Sequence, residues 1–181
     1  GKGMKIEASL FDSAVHYLAY FLQGFWQRGT EPAKPGSGHE SLCPYQSFET
    51  KDKPLILGIA NDSLWREFCD LTGRMELVDD PRFNTGANRV QNRNVTVGIV
   101  AEILQQKTRD EWILLLEARS IPCSPVHTLG ELSEHPHTEA SEMILHYENA
   151  AGRTLKGVAS PIRIDGARPQ LQRIPPKLGL D

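Results

Sequence analysis

An α+β fold is what this sequence predicts, on three observations. Helix-period apolar patterns fill residues 7–28 and 88–107. Two Ser/Thr-x-x-Glu boxes open further helices at Thr108 and Thr128. Past residue 143 the pattern turns strand-like on both sides of Gly152.

The elements follow in order. Over residues 7–28, Leu10, Ala14, Leu18, Leu22 and Phe25 recur every three to four positions, and Phe11, Val15, Phe21 and Trp26 widen the stripe until most of the helix is apolar. A helix apolar on nearly all sides is buried by more than a small domain of its own. A covering surface from another domain or subunit is therefore expected, with Phe11, Val15, Leu18 and Leu22 mediating association. Residues 29–50 carry Gly29, Pro32, Pro35, Gly36, Gly38 and Pro44 and read as a loop. Leu55–Ala60 is a short apolar run of strand character. Asp62 or Ser63 is expected to cap a helix carrying Leu64, Phe68 and Leu71, stopped by Gly73. Asp79-Asp80-Pro81 is a turn, and a helix from about Asn88 to Lys107 buries Val90, Val97, Val100 and Leu104.

The helix opened by Thr108 and Glu111 places Trp112, Leu115 and Leu116, and Thr128 with Glu131 opens a short one. Between them, residues 121–126 cannot be helical, because Pro122 and Pro125 each remove a donor. Strands are expected over Met143–Glu148 and Thr154–Ile164, and a Pro-rich extended tail from Ala167.

Composition sets outer bounds. The 181 residues are 39% hydrophobic and 24% charged, enough for one good-sized domain or two small ones without metal or disulfide staples. With 20 Lys+Arg against 23 Asp+Glu, nucleic acid is not the expected main partner. Three widely spaced cysteines, Cys43, Cys69 and Cys123, read as a reduced, cytoplasmic protein. The longest apolar stretch, Leu10–Trp26, is too short and polar to span a bilayer, and no signal-peptide pattern precedes it.

The chemistry-bearing residues are sparse. His135 and His137 lie two apart, with His39, His127 and His146 scattered, and no CxxC, HExxH or HxxxH spacing exists, so no metal site is expected. Cys123 and His127 are four apart with Pro125 between, which suits a structural thiol. Asp79-Asp80 and Glu134 with Glu139 read as turn and surface carboxylates. The candidate ligand-binding residues are Gly36, Ser37, Gly38 and His39, since glycines let backbone N–H groups approach a ligand and let a segment swing over it; a plain flexible linker is the alternative.

Three stretches taken together carry a resemblance. They are Gly36–Thr50 with Lys51-Asp52 and the strand ending Ala60-Asn61-Asp62; Asp80–Thr85 with Asn88-Arg89-Val90 and Asn92-Arg93; and Arg109–Trp112, Ile121–Val126, Ser160–Ile162, Pro175-Pro176 and Leu178-Gly179. In that order and spacing, and with Ser9–Asp12 at the start, the chain resembles the class III (CaiB/BaiF, formyl-CoA transferase-like) CoA-transferases over essentially its whole length.

The resemblance implies transfer of CoA from an acyl-CoA to a free carboxylate through an aspartyl-CoA thioester, in homodimers whose chains interlock, with CoA as substrate and no further cofactor. The nucleophilic aspartate of the Rossmann-like large domain is expected upstream of Gly1, so no catalytic residue is expected in this chain. A carboxylate serves as nucleophile where water is excluded, and a covalent relay divides a hard exchange into easier steps. The implied division is a linker helix over 1–30, a small domain with the glycine loop over 31–125, and a segment over 126–181 that returns to the large domain. Related α-methylacyl-CoA racemases carry a catalytic glutamate just after the strand that ends here at Ala60. Asn61-Asp62 at that place is the transferase pattern, because an amide cannot act as the proton-transferring base. A non-catalytic oligomerising or binding module derived from the family is the remaining alternative.

Overall fold

The computed structural model describes residues 3–5, 7–32, 34, 36–149 and 152–169. Among the described residues there are helices and two small antiparallel sheets, as an α+β fold requires, and the chain divides into two compact units, Gly1–Val126 and His127–Asp181.

The first unit opens with α1 (Leu10–Tyr17) and α2 (Ala19–Arg28). The single helix expected over 7–28 therefore starts later and is interrupted. Ser9 caps it by accepting from the Asp12 N–H, and at Leu18 the backbone departs from helical geometry (φ −85°, ψ 2°), its N–H shared between the carbonyls of Ala14 and Val15. The apolar side chains expected to need a cover are exposed: Leu10 88%, Phe11 75% and Trp26 66%. Neither helix contributes a buried residue.

A three-stranded antiparallel sheet follows, ordered β1 (Tyr45–Phe48), β2 (Leu55–Gly58), β3 (Cys123–Pro125). The first strand lies inside the stretch read as loop. Prolines at 32, 35 and 44 dominate that stretch, while the strand shows only four residues of pattern, of which Phe48 alone is buried. β2 supplies Leu55 and Leu57 to the core, and Ile56 faces out opposite Ser47 and Ser124. It ends at Gly58 rather than Ala60: Ile59 still donates to the Pro44 carbonyl opposite it, but Pro44 has no N–H to return the bond and the ladder stops there.

The α3 helix (Asp62–Thr72) stops at Gly73, which adopts the left-handed conformation (φ 68°). Its cap is Asn61, not Asp62 or Ser63. Asn61 is extended (φ −148°), and its side-chain oxygen accepts from Leu64 N–H, while the Asp62 carboxylate bonds Arg89 instead. A short α4 (Glu76–Asp79) leads into the turn, where Asp80 accepts from the backbone of Arg82, Phe83 and Asn84. The helix expected over 88–107 is two, α5 (Gly86–Gln91) and α6 (Arg93–Leu104). Thr96 Oγ1 donates back to the Asn92 carbonyl and Asn92 Nδ2 to the Arg82 and Asn88 carbonyls, which diverts the backbone there. Val100 and Leu104 are buried, whereas Val90 and Val97 are only half-buried. α7 (Arg109–Ala118) has the expected capping box and buries Trp112 and Leu116; Leu115 lies on its outer side.

Trp65, Phe68, Phe83, Leu55, Leu57, Val100, Leu104 and Leu116 form the centre of one core, each 1% exposed or less. The Trp112 indole N–H donates to the Leu104 carbonyl at 2.7 Å, so its polar edge is satisfied.

In the second unit, α8 (Leu129–Ser133) carries the expected box at Thr128 and Glu131, and α9 (Pro136–Ala140) follows with Pro136 in its first turn. β4 (Ile144–Glu148) and β5 (Thr154–Val158) pair as a hairpin, Ile144 opposite Val158 and Glu148 opposite Thr154. The second strand ends before the expected Ile164, just ahead of Pro161, and Ala159 N–H closes onto the Met143 carbonyl. Of the expected tail, Pro175-Pro176 and Leu178-Gly179 lie outside the described residues. Among the described residues no helix is long and apolar enough to cross a membrane.

Candidate functional site

The glycine segment is laid along the free edge of β1. His39 N–H donates to the Tyr45 carbonyl at 2.8 Å, and Ser47 N–H donates to Ser37 Oγ at 3.2 Å. Gly36 makes the entry turn with φ 65°, a conformation that other residues adopt only at a cost. Gly38 has no such φ.

Three arginines gather the segment from behind. Arg93 Nη2 donates to the carbonyls of His39 and Glu40, both at 2.9 Å. Arg28 of α2 pairs with the Glu40 carboxylate. Arg89, 1% exposed, donates to the Cys43 carbonyl (3.0 Å), the Phe83 carbonyl (2.8 Å) and Asp62 Oδ1 (2.8 Å), and its guanidinium lies 5.2 Å from the Trp65 ring centroid. Asn61-Asp62 is thereby tied to the loop through one side chain. Sequence reasoning quoted Arg89 and Arg93 only as pieces of a pattern; their charge gave no sign that they would be drawn inward onto carbonyls. Arg93 Nη1 is buried with no hydrogen-bond partner among the described residues.

In front of the loop, a cavity of about 310 Å³ is lined by Tyr20, Phe21, Ser37, Gly38, His39 and Tyr45. The His39 ring sits 5.4 Å from the ring of Tyr45 and 6.3 Å from that of Tyr20. Gly58 leaves room for Tyr45, since a Cβ there would come within 3.1 Å of the phenol ring. Of the four residues singled out from the sequence, Ser37, Gly38 and His39 line this cavity and Gly36 makes the turn before them; the aromatic walls from α2 and β1 are additions that sequence reasoning did not supply.

The other candidates stay apart. Burial pushes the Cys43 and Cys123 thiols up and the Cys69 thiol to about 12, which disfavours the thiolate; for Cys43 the opposing charges of Arg93 and Arg89 are the lesser influence. His127 and His135 meet ring to ring at 5.2 Å, with Glu131 3.9 Å from His127 Nδ1, and His135 Nδ1 accepts from His137 N–H. No group of three metal-ligating side chains forms among the described residues.

Comparison with known proteins decides the family. The model of CoA-transferase family III matches residues 1–181. The chain belongs to CoA-transferase family III. An acyl-CoA transferase of Fusarium pseudograminearum is 32% identical over 181 residues, covering 99% of this chain and 40% of that protein. Acetyl-CoA:oxalate CoA-transferase of Acetobacter aceti is 28% identical over 166 residues, covering 92% of this chain and 41% of that protein. Among solved structures, a CaiB/BaiF family protein from Brucella suis superposes with a TM-score of 0.78 at 29% identity, over 97% of this chain and 45% of that one. The chain spans about two fifths of the length of the curated relatives it matches.

Proposed function

We propose that this family III chain serves a CoA-transferase that moves CoA from an acyl-CoA to a free carboxylic acid. The observation that carries the reading is the family match along the whole chain, joined to Asn61 at the position where racemases of the group use a glutamate. Asn61 is engaged as a helix cap and Asp62 in an ion pair with Arg89, so neither is a free base for removing the proton next to a thioester.

In this reading the nucleophile is an aspartate outside this chain, which attacks the thioester and passes through an anhydride to an aspartyl-CoA thioester. The loop Gly36-Ser37-Gly38-His39 shields those intermediates from water, a service that covalent relays need because anhydrides hydrolyse. Helices α1 and α2 link the small domain to the rest of a homodimer, their exposed apolar side chains covered by it, and the segment 126–181 returns to a Rossmann-like large domain. The aromatic exposure of α1 and α2 supports that arrangement.

The test is an exchange assay on the purified chain, alone and together with a family large domain, using acyl-CoA donors and isotope-labelled free acids. Label appearing in the acyl-CoA pool only when the large domain is present agrees with the reading. Turnover by the chain alone places the nucleophile among its own carboxylates, and racemisation of a 2-methylacyl-CoA without transfer overturns the reading. Sedimentation checks the helices: self-association that Phe11→Ser with Leu18→Ser abolishes is expected.

A further inference from the structure

We propose that His39 is a specificity-determining hydrogen-bond donor: its Nε2–H binds a carboxyl-derived oxygen, of a free acid or an acyl thioester, seated in the cavity before the loop. The inference rests on the acyl-transfer reading for the identity of the ligand, and on the imidazole's own contacts for the rest.

Those contacts fix the tautomer. Ser41 N–H, which can only donate, points at His39 Nδ1 at 3.2 Å, and the Ser41 hydroxyl stands 3.4 Å from the same nitrogen. In a neutral imidazole one nitrogen accepts and the other carries the proton, so the proton is on Nε2. Among the described residues Nε2 has no hydrogen-bond partner, although the ring lines the cavity and is half-buried. The ring cannot swing away freely. Its backbone is held on both sides, N–H to Tyr45 and carbonyl to Arg93, and the ring is in tilted contact with Tyr45 and edge contact with Tyr20.

The surroundings select the ligand. The cavity's walls are aromatic, which suits a short carbon chain, and its volume is too small for the nucleotide part of CoA. Glu40 is the acidic group on its rim and is paired with Arg28, so it does not repel an anion as a bare carboxylate would. A fixed donor beside aromatic walls prefers an oxygen acceptor and rejects a methyl group in its place, because the donor would be left unpaired.

The experiment uses the full chain with histidine-selective ¹⁵N labelling and three probes: succinate, succinyl-CoA and CoA alone. His39 should show the Nε2–H tautomer and shift with succinate, succinyl-CoA or both, the two arms separating acid from thioester, and not with CoA. Two variants divide donor from scaffold. Asparagine keeps an oxygen for Ser41 N–H but lacks a donor at the ε position; glutamine carries a donor there. His39→Asn is therefore expected to weaken binding roughly tenfold and His39→Gln by less than about threefold, with both folded as judged by the Trp65 indole resonance. An Nδ1–H tautomer, equal binding by His39→Asn and wild type, loss in His39→Gln as large as in His39→Asn, an equal response to CoA, or no binding by wild type overturns the proposal. Failure of the exchange assay with intact succinate binding at His39 would instead reject the acyl-transfer reading alone.

Discussion

Replacing Arg89 with methionine removes a guanidinium that is 1% exposed and holds three separate segments: the Cys43 carbonyl, the Phe83 carbonyl and Asp62 at the start of α3. The magnitude can be assembled bond by bond. The Asp62 side chain is 59% exposed, so that ion pair contributes little, below about 1 kcal/mol. The two carbonyls are different, because each loses a charged donor in a place where water enters poorly, at about 1–2 kcal/mol apiece. Relief from burying a cation returns part of this. A net loss of about 3 kcal/mol is expected, or roughly 10 °C in midpoint for a domain of this size. Arg89→Met, Arg89→Lys and Asp62→Asn should be compared by urea and thermal unfolding followed by circular dichroism. Lysine cannot reach three acceptors in a fork and should recover less than half of the loss. Asp62→Asn should cost under about 1 kcal/mol. If Asp62→Asn proved as damaging as Arg89→Met, the charge pair and not the carbonyl clamp would be holding the loop, and the reasoning would fail.

Acid should unfold the protein through a few identifiable carboxylates. Asp52 is held below its ordinary range chiefly by the Arg109 backbone N–H, Asp80 by Arg82, and Glu111 by Thr108. Folded-state values below the unfolded ones mean stability that is complete above the ordinary carboxylate range and lost as pH falls through the depressed values. Asp52→Asn should flatten that acid limb in urea titrations at successive pH values. Thr108→Ala breaks the capping box and should cost about 1 kcal/mol, read from the urea midpoint, with Thr108→Ser nearly neutral. A thiol reagent added to native protein should label Cys123 before Cys43 or Cys69, since Cys123 is only half-buried; mass spectrometry of the digested protein gives the order.

Local signals in the sequence were legible where one residue does one thing. Thr108 with Glu111, Thr128 with Glu131 and Gly73 each marked a boundary, because a cap or a left-handed stop depends on that residue alone. Boundaries set by competition were not. Asn61, the extended residue before the helix, takes the cap while Arg89, distant in sequence, holds Asp62, and α5 gives way to α6 at Asn92, whose carbonyl Thr96 Oγ1 bonds. β1 was hidden for a related reason: four residues carry little pattern of their own, and the strand exists because Leu55–Gly58 offers it a partner. For the candidate site, glycines and a histidine announced the loop, but Tyr20 and Arg93 reach it from other elements and carry no local mark.

The contacts of Ser37 and His39 with β1 have a consequence for solubility. A short sheet with a bare outer strand invites a strand from another molecule, which is how ordered aggregates begin. Here the loop occupies hydrogen-bonding groups of Tyr45 and Ser47, and on the opposite side β3 is three residues long with Pro125 as its last. Deleting residues 36–41 would thus do more than disturb a ligand cavity: it would uncover a template for intermolecular pairing.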